Sequence, residues 1–489
     1  MSSKLRRTGA LVGAGALVFA AVAVAAGNQA DAQQTPLDQL LDQPLDQPLG
    51  QVLGQPTPGR VALGKVQYRL ADVAHRNGLT EEKLRDTLAS DKTSWLDAQG
   101  RLFFREPGLT SAQKAPEASP RWASESVDAA TGPAFELHSK PGSNRVLYLD
   151  FDGHTITGTA WNSSQGVDPV NVTAYDTDGN PASFSTAEQD VVHEVWARVA
   201  EDYAPFDVDV TTQDPGQDAI NRTDAADQRY GTRVVIDPTS WYQSGCGCGG
   251  VAYIGVYDTT GNHDYYQPAL VFTKGVGTGA KNLAEAASHE AGHNVGLNHD
   301  GTASVGYYEG HGSWAPIMGV GYYRGISQWS KGEYSGANNT EDDYGVIGTH
   351  GLALRADEVG DSTGAAAALA VGATATGVIA AESDVDVYKV GIGAAGNYTA
   401  TASAAALGGD LDIKLDLLDS SGAVIASADP PSGQSDAGTP TGLGATLSSN
   451  LQPGTYYLRV DNTGYGNPLN DGYSSYGSRG AYSLTINLT

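Results

Sequence analysis

Hydrophobic and polar positions in the middle of the chain follow the periods of strands and helices in turn. Short apolar or alternating runs predict strands at residues 145–151, 206–211, 232–236, 251–256 and 269–272. One helix is predicted after Ser185, which forms a capping box with Glu188, and a second begins near Asn282, with Glu285 as its N3 partner. Strands interleaved with helices predict a mixed α/β domain, which we place at residues 144–355.

The pattern changes near residue 360. Beyond it, short alternating segments recur and are separated by Gly, Asp, Asn and Pro; they lie at residues 385–390, 398–402, 411–417, 456–460 and 482–486. Alternation of this kind is typical of strands with one buried face. It predicts an all-β sandwich over residues 360–489.

Residues 1–32 have the pattern of a secretory signal peptide. Basic residues precede an apolar, alanine-rich run, and residues 30–32 match a small-x-small cleavage site. A membrane anchor is the alternative, but the run is short and is diluted by glycine and alanine. We therefore expect a secreted, extracellular protein with no stable membrane insertion once the signal is removed.

The segment between the signal and the α/β domain is typical of a precursor. Residues 33–60 are a low-complexity segment in which residues 37–56 repeat a four-residue unit. The prolines of this repeat exclude a continuous helix, which favours an extended spacer. Residues 61–108 predict a small unit with a helix capped by Thr80, and a unit of this size should lean on another part of the protein. Residues 109–143 have a linker composition suited to proteolytic processing. We interpret 61–108 as a pro-segment; an ordinary N-terminal domain is the alternative.

Composition and charge narrow the range of partners. The chain has 489 residues, with 29 basic and 56 acidic side chains and a net charge of −27. So acidic a protein binds nucleic acid and anionic lipid poorly, and we expect no nucleic-acid partner. Two cysteines exclude a disulfide-rich scaffold. We expect a monomer that acts on extracellular protein or peptide substrates.

The second predicted helix carries the motif His-Glu-x-x-His-x-x-Gly-x-x-His, formed by His289, Glu290, His293, Gly296 and His299. His289 and His293 are one helical turn apart, so both imidazoles can bind one ion. Gly296 lets the chain leave the helix with positive φ, and the turn aims His299 at the same point. Three imidazoles with one open position indicate a catalytic Zn²⁺, because structural zinc sites are usually closed by four protein ligands.

The acidic residues of this motif predict hydrolytic chemistry. Zinc lowers the pKa of a bound water molecule far below that of bulk water, toward about 7. Glu290 lies beside His289, where it could accept the proton of that water and pass it to a leaving amine. Asp300 follows the third histidine and is interpreted as a supporting carboxylate, with a solvated turn residue as the alternative.

The motif resembles that of the metzincin metallopeptidases. Residues 146–153, 200–211 and 328–338 resemble secreted bacterial proteases of the reprolysin-like group, so the likeness covers about residues 140–350. It implies a twisted mixed sheet, an active-site helix and a Met-turn in which Met318 gives the zinc an apolar floor. Val320 stands where some metzincins have a tyrosine, so no catalytic tyrosine is identified.

The resemblance extends beyond the α/β domain. Residues 61–108 are similar to the pro-segment of the same group, and residues 360–489 resemble the pre-peptidase C-terminal domain found beside secreted bacterial proteases. Many zinc proteases are kept latent by a pro-segment cysteine, but no cysteine precedes Cys246 here. Latency would therefore need another ligand or steric blockage.

Two further groups of residues have candidate roles. For Cys246 and Cys248, a disulfide ranks above free thiols, and both rank above a metal site. Asp150, Asp152, Asp176 and Asp178 are candidates for a structural Ca²⁺ site, with solvated turns as the alternative.

The sequence as a whole predicts a secreted zinc endopeptidase made as a proenzyme. Two alternatives stay open. One is a non-catalytic adhesin or binding protein on a protease scaffold, and the other is a zinc amidase that acts on cell-wall peptide. Intact ligands and an intact Glu290 favour the enzyme over the adhesin.

Overall fold

The computed structural model describes residues 48–111, 113–114, 120–122, 127–128, 132–239, 241–242 and 246–489. The predicted signal peptide and most of the predicted spacer lie outside these residues. None of the described helices combines the length and the apolar character that crossing a bilayer requires.

Residues 48–107 form a small unit of short helices and strands. Its elements are α1 (Leu49–Leu53), β1 (Thr57–Pro58), α2 (Gly59–Val66), α3 (Leu70–Arg76), α4 (Glu81–Ser90), β2 (Ser94–Leu96) and β3 (Leu102–Pro107). Thr80 caps α4 as predicted, its hydroxyl accepting from the Lys83 amide. The predicted extended spacer is wrong at its end, because Leu49 and Leu53 lie on a helix and are buried in the core of this unit. The unit therefore starts before residue 61.

The central region contains the predicted mixture of strands and helices. Its elements are β4 (Val127–Asp128), β5 (Arg145–Asp150), β6 (His154–Ile156), α5 (Ala160–Gln165), β7 (Val170–Val172), β8 (Ser183–Phe184), α6 (Thr186–Asp202), β9 (Asp209–Thr211), α7 (Gln217–Ile220), β10 (Tyr230–Asp237), β11 (Cys248–Tyr253), β12 (Ala269–Phe272), α8 (Thr273–Val276), α9 (Ala280–Asn294), β13 (Trp314–Pro316), β14 (Ile326–Gln328) and α10 (Asp343–Thr349).

One mixed sheet joins the small unit to the central region. Its strand order is β1-β2-β3-β11-β12-β10-β5-β9. The strands β12, β10, β5 and β9 are parallel, whereas β11 is antiparallel to β12. On the other side of β11, β3 adds an antiparallel strand. The small unit thus leans on its neighbour by extending the sheet, and Ile254 of the central region joins its core.

The two long helices pack on this sheet around a shared apolar core. Ser185 caps α6 through the predicted capping box with Glu188. The predicted start of α9 is wrong: the N-cap is Gly279, not Asn282. The Asn282 amide instead donates to the carbonyl oxygens of Val276 and Gln113, each at 3.0 Å. An asparagine can satisfy the backbone of a preceding loop as well as a helix start, which sequence alone does not distinguish.

The predicted linker also ends earlier than residue 143. Ala134 and Phe135 are buried in the core of the central region. The ring nitrogen Nδ1 of His138 lies 2.7 Å from Asp209 Oδ2, beside strand β9. Residues from about 133 onward are therefore part of the α/β domain.

The C-terminal region is a two-sheet β structure, as predicted. Its strands are β15 (Ala367–Ala368), β16 (Thr374–Ile379), β17 (Val385–Ile392), β18 (Gly396–Ala404), β19 (Ile413–Leu418), β20 (Val424–Ala428), β21 (Gly433–Asp436), β22 (Thr439–Thr441), β23 (Ala445–Leu451), β24 (Gly454–Asn462) and β25 (Gly480–Leu488). One sheet has the order β15-β17-β24-β19-β20 and the other β16-β25-β18-β23. Inward residues of both sheets share one apolar core.

Polar contacts join this sandwich to the central region. The Glu201 carboxylate, at the end of α6, accepts from the Ala481 amide at 3.1 and 3.2 Å. The guanidinium of Arg479 stacks over the Tyr344 ring at 3.6 Å. Because Tyr476 of the sandwich is buried in the central core, the two regions share a packed interface.

Candidate metal centre

Helix α9 sets the positions of three residues of the motif. His289, Glu290 and His293 all lie on it and are almost fully buried. The helix comes close to the segment beneath it because Gly292 has no side chain: a Cβ there would lie 2.6 Å from the Met318 sulfur. Met318 is itself fully buried below the helix.

A tight turn after α9 aims the third histidine. Gly296 has the predicted positive φ, at 97°. A Cβ at this position would also lie 2.4 Å from Cδ2 of the His350 ring. Conformation and space therefore both require glycine here, and the turn it makes brings His299 back toward α9.

The outer ring nitrogen of each histidine is held by a hydrogen bond. Nδ1 of His289 lies 2.9 Å from the Ile317 carbonyl oxygen, and Nδ1 of His293 lies 2.8 Å from that of Leu297. Nδ1 of His299 lies 2.6 Å from Oδ2 of Asp91. Since carbonyl oxygens only accept, the first two Nδ1 atoms must donate, which leaves Nε2 of both rings with a free lone pair.

The three Nε2 atoms converge on one point together with a carboxylate that the motif does not contain. Nε2 of His293 and Nε2 of His299 are 3.0 Å apart. Glu106, on strand β3, places Oε1 3.0 Å from His299 Nε2 and 3.5 Å from His293 Nε2, and Oε2 3.8 Å from His289 Nε2. One ligand atom from each of these four residues lies within 4.8 Å of the others.

Burial sets the charge of this cluster. It lowers the pKa of His289 to about 3 and also lowers the pKa of His293, so both rings are neutral. Burial opposes the charged form of His299 as well, but the carboxylates of Glu106 and Asp91 raise its pKa to about 10. Burial raises the pKa of Glu290 well above its ordinary range, and the nearby charge of Glu106 adds to the increase.

The donor set fits a zinc ion. Nε2 of His289 is buried, points into the cluster and has no hydrogen-bond partner. A buried polar atom without a partner is costly, and neutral imidazole nitrogens are ligands that zinc prefers. Carboxylates close together in a buried site also need a positive charge between or beside them.

Glu290 lies beside this cluster, in a space that a glycine leaves open. A Cβ on Gly250 of β11 would lie 2.0 Å from Glu290 Oε1. The other oxygen, Oε2, is buried without a hydrogen-bond partner. The carboxylate is thus held against the strand and retains an unused acceptor.

Asp300 and Met318, the predicted supporting residues, are joined through their backbones next to the third histidine. The backbone N–H of Asp300 donates to the Met318 carbonyl oxygen at 2.8 Å, which ties the third histidine to the Met318 segment. Asp300 is buried rather than solvated, and its side chain faces the Tyr334 hydroxyl at 3.5 Å instead of a histidine.

Three of the site residues that sequence reasoning missed lie in the small N-terminal unit. Glu106 reaches the Nε2 atoms, Asp91 holds His299, and Phe104 stacks on the His293 ring with centroids 4.4 Å apart. Seven acidic residues lie between 61 and 108. No local spacing singles out Glu106 or Asp91 among them, although the missing pro-segment cysteine indicated that another ligand was worth seeking.

The remaining candidates are placed as follows. Cys246 and Cys248 form the predicted disulfide. Asp150 is buried beside Asp152 and is paired with Arg233 at 2.5 Å. Asp176 and Asp178 lie near Glu188, but Asp176 Oδ1 already accepts from three backbone N–H groups. A calcium site stays a prediction.

Comparison with known proteins identifies two parts of the chain. Residues 200–300 match the family model described as Metallo-peptidase family M12B Reprolysin-like, and residues 384–462 match the bacterial pre-peptidase C-terminal domain. The chain combines a reprolysin-like metallopeptidase region with a pre-peptidase C-terminal domain. The first match contains α9 and the complete histidine motif, and the second covers the centre of the sandwich.

Solved structures give further similarities. The chain shares 19% identity with the pre-peptidase C-terminal domain of a collagenase from Bacillus anthracis, over 27% of this chain and 97% of that one, with a TM-score of 0.18. It shares 16% identity with PliG, a periplasmic inhibitor of g-type lysozyme from Aeromonas hydrophila, over 25% and 96%, with a TM-score of 0.16. No curated protein matches the sequence.

Replacing Gly296 by alanine should destabilise the reprolysin-like region. Alanine is strained at a φ of 97° and its Cβ would meet the His350 ring, so we expect a loss of about 1 to 3 kcal/mol in the free energy of unfolding. Urea unfolding followed by tryptophan fluorescence measures it. Gly306→Ala is the control, because that glycine is exposed and a Cβ there would meet nothing within 4 Å. Equal stabilities of the two variants would contradict the requirement for glycine.

Proposed function

We propose that this chain is the precursor of a secreted, zinc-dependent endopeptidase of the metzincin type. The observation that carries the proposal is the convergence of the Nε2 atoms of His289, His293 and His299, with the carboxylate of Glu290 beside them. The reprolysin-like match over residues 200–300 supports a metallopeptidase, and the glutamate beside the ligands supports hydrolysis rather than binding alone.

The three histidines would hold the zinc ion through Nε2, while the hydrogen bonds at Nδ1 fix the orientation of each ring. When bound, zinc polarises a scissile carbonyl and makes water a stronger acid. Glu290 Oε2 accepts a proton from the attacking water and passes it to the nitrogen of the leaving amine. Its burial raises its pKa, which makes the carboxylate a stronger base toward the water and so favours the first transfer.

Met318 and Gly296 contribute to this chemistry by setting the positions of the helix and of the ligands. Met318 packs beneath α9 at Gly292, where we assign it to the Met-turn, and the turn at Gly296 brings in the third ligand. Tyr322 is partly buried and lies close enough to Glu290 for its charge to add to the raised pKa of the phenol. We assign no catalytic tyrosine.

Secretion and a proenzyme are also part of the proposal. The first 32 residues have the composition of a signal peptide, and the pre-peptidase C-terminal domain resembles domains that accompany secreted bacterial proteases. The small N-terminal unit covers the histidines, which are 7%, 0% and 6% exposed, so substrate needs that unit to move or to be removed.

Zinc removal should abolish proteolysis. We expect the secreted protein, after maturation in culture medium, to hydrolyse casein, to lose this activity with a chelator such as 1,10-phenanthroline, and to regain it with Zn²⁺. N-terminal sequencing and metal analysis of the same sample define the active form. A matured protein that contains zinc and cleaves no protein would contradict the proposal. Hydrolysis of peptidoglycan peptides in its place would favour the cell-wall amidase, and neither activity would favour the binding protein.

Glu290→Gln should separate metal binding from turnover. Glutamine keeps the shape of the side chain but cannot accept the proton, so we expect about one zinc ion per chain and a fall in turnover of about 10²- to 10⁴-fold. Zinc content and casein hydrolysis are measured on the same preparation. The matched control is Glu309→Gln, at an exposed site, with expected wild-type activity. A Glu290→Gln protein with near-normal turnover would remove Glu290 from its role.

A further inference from the structure

We propose that Glu106 is a fourth zinc ligand, supplied by the N-terminal unit, and that it keeps the precursor latent by closing the open position of the site. The inference rests on the proposed function and adds its mode of regulation. It comes from four sets of observations: the position of strand β3, the distances to the Nε2 atoms, the balance of charge and the covering of the rings.

Strand β3 brings Glu106 to the site by adding to the edge of the sheet. Arg105 pairs with Val251 and Pro107 with Cys248, so the register shifts between these pairs. The extra residue lies on β11, where Gly249 and Gly250 stand opposite Glu106. Because these two glycines have no side chains, β11 lies close to the backbone at Pro107 and leaves room for the carboxylate of Glu290, while Glu106 reaches the histidines.

The distances suit coordination by one small cation. A tetrahedral zinc site with bonds of about 2.0 to 2.1 Å has neighbouring ligand atoms about 3.3 Å apart. The oxygens of Glu106 lie 3.0, 3.5 and 3.8 Å from Nε2 of His299, His293 and His289. Contacts with all three rings exceed what a simple ion pair with one histidine requires, and they place the carboxylate at the fourth corner.

The charges around the site also favour a divalent cation. Glu106, Glu290 and Asp91 place three carboxyl groups in or beside the buried cluster of histidines. A buried cluster of this kind is destabilised unless a positive charge compensates it. Two positive charges at the Nε2 atoms would do so while they satisfy the orphan nitrogen of His289.

The rest of the N-terminal unit closes the site around this carboxylate. Phe104 covers His293 and meets His299 edge-on, with centroids 4.5 Å apart. The carboxylate of Asp91 is hydrogen-bonded to Nδ1 of His299. Away from the histidines, Lys83 joins the same unit to the central region through an ion pair with Glu341 at 2.9 Å. Four protein ligands under an apolar cover leave no position for water or substrate, which is the property of a structural zinc site rather than a catalytic one.

Activation would then require removal of β3. The chain after β3 has the linker composition that suits proteolysis, so cleavage there would release Glu106 together with its strand. This step would open the fourth position and would also free the edge of β11.

Cobalt absorption of the intact precursor tests the ligand directly. The full chain carries Glu290→Gln to prevent self-cleavage, its intact mass is verified, and zinc is replaced by Co²⁺. In this background we expect Glu106→Cys to produce a thiolate-to-cobalt charge-transfer band, because the new sulfur would lie next to the metal. Glu82→Cys is the matched control: it is an exposed glutamate of the same unit and should give no such band. It also controls for exchange with the Cys246–Cys248 disulfide.

A second variant tests the wild-type carboxylate. Glu106→Gln should change the visible absorption of bound Co²⁺ and weaken zinc binding by at least about tenfold, whereas Glu82→Gln should change neither. With Glu290 restored, the Glu106→Gln precursor should cleave casein, or process itself, faster than the wild-type precursor.

The outcomes separate this inference from the proposed function. If Co²⁺ binds but Glu106→Cys gives no band and Glu106→Gln leaves absorption and affinity unchanged, Glu106 is not a ligand and the inference is wrong. If neither the wild-type precursor nor the matured protein binds zinc or cobalt, the proposed function as a zinc enzyme is itself wrong. Circular dichroism of each variant establishes that it is folded. The test with Glu106→Cys is expected to add an absorption band, so a positive result cannot be produced by a variant that has merely lost its structure.

Discussion

The structure depends on how nitrogen and oxygen atoms are brought together in an almost fully buried site. Three imidazoles and two carboxylates are buried together, and each outer Nδ1 atom already has a partner. The inner nitrogens are less well satisfied: Nε2 of His289 has no hydrogen-bond partner, and the Nε2 atoms of His293 and His299, 3.0 Å apart, share one oxygen of Glu106. A cation at their centre satisfies all of them at once, which is why the geometry favours a zinc protein.

The N-terminal unit depends on the same region for its own stability. A unit of about 60 residues buries little apolar surface by itself. Here its strand β3 completes the edge of the sheet, and Ile254 contributes to its core. An exposed edge strand readily accepts another strand, so the hydrogen bonds that stabilise the unit also cover the histidines. Under our proposal, folding and latency have a common structural cause.

The C-terminal sandwich packs on parts of the central region other than the histidine cluster. Its contacts include the end of α6, Tyr344 and the segment at His311, whose Nε2 lies 2.7 Å from the Gly472 carbonyl oxygen. The Glu201 carboxyl at this interface is buried, and burial raises its pKa to about 8. In the described residues, the sandwich provides none of the atoms of the histidine cluster.

Local chemistry determined what the sequence could predict. The helical period fixes His289 and His293 on one face, Gly296 is required where the chain turns, and alternation predicts the strands of the sandwich; each depends on residues close together in the chain. The boundaries of the N-terminal unit, the linker and α9 were less accurate, since Leu49, Phe135 and Asn282 contact partners that are distant in the sequence. Glu106 lies 193 residues before His299, and only the pairing of β3 with β11 brings them together. Strand pairing over that separation leaves no local pattern, so the carboxylate at the site was decided by the tertiary structure alone.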